Sequence, residues 1–179
     1  MNTRCFAALL AGLIAGSAGA QTPSDYAGWR QREIKALSAQ QIDDLNEGRG
    51  MGLSLPAELN GAPGPLHALA LADTLALTPA QSAELERIVA EMKAEAQRLG
   101  RTWVDTERRL DQAFRDGTAD EAAVARLSAD AGRLQGELRN VHLQAHLRTR
   151  RLLQPQQIAA YDRARGYAGE QGLAGSHHH

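Results

Sequence analysis

The sequence predicts an all-α protein: a long antiparallel helical hairpin with short flanking helices at its N- and C-terminal ends. Three observations carry that prediction. Hydrophobic residues make up 43% of the 179 residues but aromatic residues only 4%, so the core is aliphatic. Such a composition suits packed helices better than a β-sandwich, which draws on Val, Ile, Tyr and Thr. Residues 78–153 contain one proline, Pro79, at their very start. Within that stretch apolar residues recur at steps of three and four, the spacing of a helix–helix seam.

The elements follow in chain order. In residues 1–20 the only charge is Arg4, followed by an apolar run from Phe6 to Ile14 and the small residues Ala18-Gly19-Ala20. This is the pattern of a secretory signal peptide cleaved after Ala20, and it implies export across the inner membrane to the periplasm. The run is too short for a permanent anchor, and no later segment is apolar enough to cross a bilayer, so no stable membrane insertion is expected. The only cysteine, Cys5, leaves with the signal. Disulfides, thiolate nucleophiles and Cys-based metal sites are thereby excluded from the mature chain. The 20 basic and 21 acidic residues nearly cancel, which argues against nucleic acid as a partner.

Residues 21–77 form an N-terminal region of short helices, interrupted by eight Gly and Pro residues between Gly48 and Pro65. Ser38-Ala-Gln-Gln41 is a capping box that opens a helix of about two to three turns. The glycines of Gly48-Arg-Gly-Met-Gly52 end it. Leu59 to Pro65 reads as a turn, and Pro65 suits the first position of a helix carrying Leu66, His67, Leu69, Leu71 and Leu75.

Residues 78–167 hold the hairpin and a final short helix. Thr78-Pro79-Ala80-Gln81 combines an N-cap, a proline at the first helical position and a capping-box Gln. The first stripe runs Leu85, Ile88, Met92, Ala96, Leu99, Trp103, Thr106, Leu110 and Ala113. Asp116-Gly117 ends that helix, and Thr118-Ala-Asp-Glu121 is expected to cap the next. The second stripe runs Val124, Leu127, Ala131, Leu134, Leu138, Val141, Ala145 and Leu152. Each helix is about 50–55 Å long at a rise of 1.5 Å per residue, and the short connection makes them antiparallel neighbours. Gln154-Pro155 opens the last helix, which ends near Gly166. Residues 168–179 are expected to be a disordered tail, in which Gly175-Ser176 and the three terminal histidines resemble a cloning scar and a purification tag.

Leu77-Thr78-Pro79-Ala80-Gln81 returns as Leu153-Gln154-Pro155-Gln156-Gln157, 76 residues later. The shared pattern is L-x-P-x-Q. With the signal peptide, the size and the absent mature cysteine, this pair resembles the LTxxQ motifs of the Spy/CpxP family and its heavy-metal resistor and sensor branch. The first copy matches fully; the second has Gln154 in place of Thr. The resemblance covers residues 64–167. It implies an exported helical protein, often a homodimer, that cradles unfolded client proteins without ATP, restrains a membrane sensor protein, or binds a transition metal.

Histidines divide these classes. His142 and His146 lie four residues apart, so one helix face presents both rings, the spacing that supplies two nitrogens to one metal ion. On the helical wheel they fall at the edge of the apolar seam. His67 precedes the hairpin, and antiparallel pairing brings it to the same pole as His142 and His146. Water, Asp73 and Glu58 are open as the source of a fourth ligand. Without Cys and without Met at His-x3-Met spacing, the donors suit Zn(II) or Cu(II), with Ni(II) also within their range, and disfavour Cu(I). No nucleophile elbow, P-loop, dinucleotide fingerprint or H-E-x-x-H occurs, so the chain does not read as an enzyme. Two functions follow. One is metal binding in heavy-metal sensing, tolerance or envelope stress. The alternative is an ATP-independent holdase or stress-signalling adaptor in which the histidines are incidental.

Overall fold

The computed structural model describes residues 24–168. The expected signal peptide, 1–20, and the expected tail from residue 169 onward lie outside the described residues. The chain divides after Arg30 into two units. In the first, a 3₁₀ helix begins at Ala27, and the rings of Tyr26 and Trp29 meet edge to face at 5.0 Å.

The second unit is built from six α-helices: α1 (Ala39–Asn46), α2 (Leu55–Glu58), α3 (Pro65–Ala70), α4 (Pro79–Arg115), α5 (Glu121–Leu152) and α6 (Pro155–Ala164). No strand occurs among the described residues; Ile34 and Leu37 form an isolated bridge. The helix starts are local consequences of sequence. Ser38 and Thr78 each accept the backbone N–H three residues on, at 3.1 and 3.2 Å, while Gln41 and Gln81 return the bond to the cap backbone. The helix ends are equally local. After α4, Gly117 turns the chain at φ +68°, and the N–H of Thr118 reaches back to the carbonyl of Ala113 at 2.9 Å. Gly48 and Gly166 close α1 and α6 in the same way, at φ +67° and +73°.

Two expectations are corrected. The N-cap of α5 is Asp120, whose carboxylate accepts from Ala123 N–H at 2.7 Å. Thr118 cannot serve, because its own backbone is committed to ending α4. The helix starting at Pro65 ends at Ala70, so Leu71 and Leu75 lie in the turns that follow, where Ala76 takes φ +47°. Two elements were not anticipated: the 3₁₀ helix that begins at Ala27, and the single turn α2, with Pro56 in its first turn.

Helices α4 and α5 pack against each other. Leu85, Ile88, Ala96 and Leu99 of the first stripe are buried, as are Leu127, Leu134, Leu138 and Ala145 of the second. The core has two parts. Toward the hairpin's middle, Ile34, Leu37 and Leu45 cover Leu99, Val104, Leu134 and Leu138. At the pole where α4 begins and α5 ends, Ala68, Leu75, Leu85, Leu153 and Tyr161 form the second cluster. Helix α1 lies so close to α4 that a Cβ on Gly100 would stand 2.1 Å from the carbonyl oxygen of Leu45. Only glycine fits there.

The two L-x-P-x-Q motifs meet at this pole. Gln81 Nε2 donates to Gln157 Oε1 at 2.9 Å, and Gln157 Nε2 donates back to Gln81 Oε1 at 3.0 Å. Each amide also donates to a carbonyl across the pole, Gln81 to Leu152 and Gln157 to Leu75, both at 3.1 Å.

This packing predicts an asymmetric response to truncation. Leu138→Ala removes a side chain that is 1% exposed and should cost about 2–5 kcal/mol in urea unfolding. Arg133 pairs only with Asp130 and Glu137 of its own helix, on the surface, so Arg133→Ala should cost less than about 1 kcal/mol. Equal losses would contradict the seam.

Candidate functional site

His142 and His146 are buried, at 4% and 6% exposure. The helical wheel placed them at the edge of the seam. What the wheel could not include is the N-terminal region, which folds over that edge and encloses both rings. Gly50 passes His142 closely enough that a Cβ there would stand 3.7 Å from its Nδ1. At Gly64 a Cβ would stand 3.1 Å from His146 Cε1 and 3.2 Å from Glu58 Oε2, a fit tight enough to favour glycine. The glycines that read as helix breakers thus also let backbone lie against imidazole.

Each ring has a distinct hydrogen-bond state. His146 Nδ1 donates to the carbonyl oxygen of Ala62 at 2.8 Å. A carbonyl only accepts, so in the neutral ring the proton sits on Nδ1 and Nε2 keeps its lone pair. This is the outer-shell arrangement that orients a metal-ligating imidazole and makes it more basic. His142 Nε2 is buried without a hydrogen-bond partner among the described residues. Such an orphan is costly, on the order of 1–3 kcal/mol, and calls for a ligand or a function. Burial, and then the neighbouring His146, hold the His142 pKa below its usual value. The ring is therefore neutral, the form that can coordinate.

His67 is brought to the same pole but is not enclosed; its side chain is 47% exposed. Its Nδ1 lies 3.4 Å from Glu58 Oε1 and 3.4 Å from the Tyr161 hydroxyl. Glu58, at 5% exposure, is the centre of this pole. Its carboxylate accepts from Tyr161 Oη at 2.5 Å, Tyr167 Oη at 3.1 Å and Gly64 N–H at 3.1 Å. Arg165 Nε stands 3.5 Å away, and His146 Nδ1 stands 3.7 Å away. Desolvation alone would raise the carboxyl pKa, but the two tyrosine hydroxyls and the nearby His67 and His146 outweigh it and hold Glu58 below its ordinary range. Tyr161, buried and donating to that carboxylate, is pushed well above the usual phenol range.

His67, His142 and His146 all line one cavity of about 410 Å³ between the hairpin and the N-terminal region. They do not form a ready-made chelate: among the described residues no three of His, Asp and Glu stand in a metal-holding group. The α5 pair lines the cavity, and His67 lies against Glu58. Of the fourth-ligand candidates, Asp73 is exposed and Glu58 is saturated with hydrogen bonds. Sequence reasoning missed the tyrosines. Tyr161 lies within α6 and Tyr167 just after its terminal Gly166, and nothing in their spacing marks them as partners of a residue about 100 positions earlier. The arginines near this pole differ in their surroundings: Arg148 pairs with Glu91 at 2.8 Å and Arg165 turns to Glu58 and the Tyr167 ring, while Arg150, Arg151 and Arg163 are exposed.

The two depressed pKa values give stability a definite pH dependence. His142 and Glu58 each bind a proton more weakly in the folded state than in the unfolded chain. Stability is therefore full above the unfolded values and falls with pH. The loss should begin as pH drops through 6.5, as the unfolded His142 takes up its proton, and deepen below 4.5 through Glu58. Melting temperature measured against pH in EDTA should show both phases. His142→Ala should flatten the first and leave the second.

Comparison with known proteins fits this architecture. Neither a curated protein nor a solved structure gives a significant match. Residues 67–165 match the model described as LTXXQ motif family protein. The matched span runs from His67 through both long helices to Arg165, enclosing both glutamines of the reciprocal pair, and covers more than half of the 179 residues. The chain belongs to the LTXXQ motif family.

Proposed function

We propose that this protein is a periplasmic metal-binding member of the LTXXQ motif family, acting in heavy-metal tolerance, metal sensing or envelope stress. The metal is a divalent ion that favours imidazole, Zn(II) or Cu(II) first and Ni(II) next. The observation that carries the reading is the unpartnered, buried Nε2 of His142, one helical turn from His146, whose Nδ1 is occupied by Ala62. These two imidazoles, one turn apart on one helix, would hold the ion. His67, at the rim of the same cavity, would contribute after a rotation away from Glu58. Family membership supports export and a stress or resistance role. No helix among the described residues is long and apolar enough to cross a membrane, which accords with that reading.

The test is titration calorimetry with Zn(II) and Cu(II) on the chain carrying His177→Ala, His178→Ala and His179→Ala, which removes the terminal histidines. One ion should bind per chain. His142→Ala and His146→Ala should each abolish the binding, and His67→Ala should weaken it without abolishing it. Affinity should decline toward acid pH, because protonated imidazole cannot coordinate. Binding should also raise the melting temperature, since it favours only the folded state. If His142→Ala binds as well as the parent, the site is wrong.

A second reading rests on the exposed apolar side chains of the N-terminal region. Leu55, which opens α2, and Leu59, the residue just after it, are 51% and 57% exposed, and Leu66 on α3 is 60% exposed. Apolar groups held in solvent can take an unfolded client. A holdase would then suppress aggregation of a reduced client near equal ratio without ATP. Leu55→Ser with Leu59→Ser should remove that protection, and no protection at about tenfold excess would exclude the role.

A further inference from the structure

The cavity between the hairpin and the N-terminal region is polarised along its length, and neither metal binding nor client capture requires that. Toward the pole its walls are apolar: Pro65 and Leu66 of α3 and Val89 of α4. Toward the hairpin's middle the lining turns cationic. Gly48 lies against α4 there, so that a Cβ on it would stand 3.0 Å from the Lys93 carbonyl oxygen, and Arg49 and Lys93 line this end. Val89, Met92 and Lys93 are spaced i, i+3 and i+4, so one face of α4 runs from the apolar end to the cationic one. The two cations outnumber Glu47, the one carboxylate of the lining. Arg49 is held by Asp44 at 2.7 Å. Lys93 is exposed and makes no ion pair among the described residues, so its charge is available. At the other end Leu66, 60% exposed, leaves apolar surface in water. A volume of about 410 Å³ with apolar walls and few polar groups is the character of a small-molecule site. The lining holds no Phe, Tyr or Trp, and Met92 is a side chain that adapts its shape, so the apolar part suits a flexible chain better than a flat ring.

We infer that this cavity binds a medium-chain fatty acid, whose carboxylate pairs with Lys93 at the cationic end and whose alkyl chain lies along Met92 and Val89 to Leu66 and Pro65. The inference uses no metal ion and does not rest on the metal reading; the imidazoles serve only as walls. Head and tail are both needed. An uncharged head would leave Lys93 without a partner, and a short tail would leave Leu66 in water. Each methylene taken from water onto such walls strengthens binding about fourfold. The Lys93 pair is exposed and contributes less, about fivefold in all. Affinity should therefore follow chain length first and head charge second.

Titration calorimetry of the full chain with hexanoate, octanoate and 1-octanol tests this. It is run in EDTA, so the outcome is independent of whether the histidines bind metal. The expected result is one octanoate per chain, bound about tenfold more tightly than hexanoate. Lys93→Ala should weaken octanoate about fivefold and leave 1-octanol unchanged, and Lys93→Arg should recover the loss. Leu66→Glu sets a carboxylate at the apolar end without disturbing the core, because Leu66 is exposed; it should abolish octanoate binding. No saturable binding of octanoate overturns the site. Hexanoate bound as tightly as octanoate overturns the alkyl seat. Octanoate binding that Lys93→Ala leaves unchanged overturns the cationic anchor, and binding of several octanoates per chain that Leu66→Glu leaves unchanged overturns the cavity as its location.

Discussion

The reciprocal amide pair between Gln81 and Gln157 is the contact on which the placement of every functional side chain depends. Each glutamine does two things at once. Its oxygen accepts the backbone N–H that caps its own helix, at 3.0 Å for Gln81 and 2.8 Å for Gln157. Its nitrogen reaches the other glutamine and a carbonyl of the neighbouring segment. Asn and Gln side chains have donors and an acceptor on one rigid plane, so a single residue can serve a cap and a tertiary bond together. Glu in place of either Gln would keep the cap and lose the donor. The motif's Gln is thus specified by more than helix initiation. The pair ties the start of α4 to the start of α6, and with them the end of α5 that carries His142 and His146, while the Gln157 bond to Leu75 ties the segment after α3 to the same pole.

Glu58 supplies the second constraint, and it acts from the other side. A buried carboxylate is costly unless it is well paired. Here two tyrosine hydroxyls, a backbone N–H and the adjacent cationic or titratable groups supply that pairing, from α6, the segment after it, α3 and α5. The carboxylate in turn holds the short α2 and the Gly64 turn against the hairpin. Ala62, which fixes the His146 tautomer, lies within that same held segment. The enclosure of His142 and His146 is therefore a consequence of Glu58 being satisfied, although Glu58 bonds neither ring directly within hydrogen-bond distance.

What the sequence disclosed follows this division between local and long-range causes. Helix starts at Ser38, Thr78 and Gln154, and helix ends at Gly48, Gly117 and Gly166, are written in residues within one turn, and they were legible. So was the seam, because periodicity over some 35 residues is an unambiguous signal. The convergence of His67 with His142 and His146 followed from antiparallel pairing alone. The depth of the two α5 histidines did not, because a helical wheel describes one partner helix and they are covered by a loop. Glu58 stood among the candidates but not as the hub, and Tyr161 and Tyr167 were invisible, because their common target is about 100 residues away. The cap at Asp120 was misplaced for a smaller reason: Thr118 and Asp120 both have capping side chains, and only the backbone bond of Thr118 to Ala113 decides between them.

The same division explains why the site is incomplete as a chelate and why that incompleteness is informative. A three-ligand centre formed only by side chains would need His67 to turn inward, but His67 is drawn toward Glu58 and Tyr161. The fold thus encloses two of the three histidines and leaves the third at the rim. On the proposed metal reading, such a site would bind with lower affinity than a closed one and exchange faster, since open positions would be available to solvent. That suits capture and release better than structural support: the apolar core and the two polar clamps already hold the pole. The unsatisfied Nε2 of His142 is then the point where the packing stops short of completion, at the end of the hairpin that both clamps converge on.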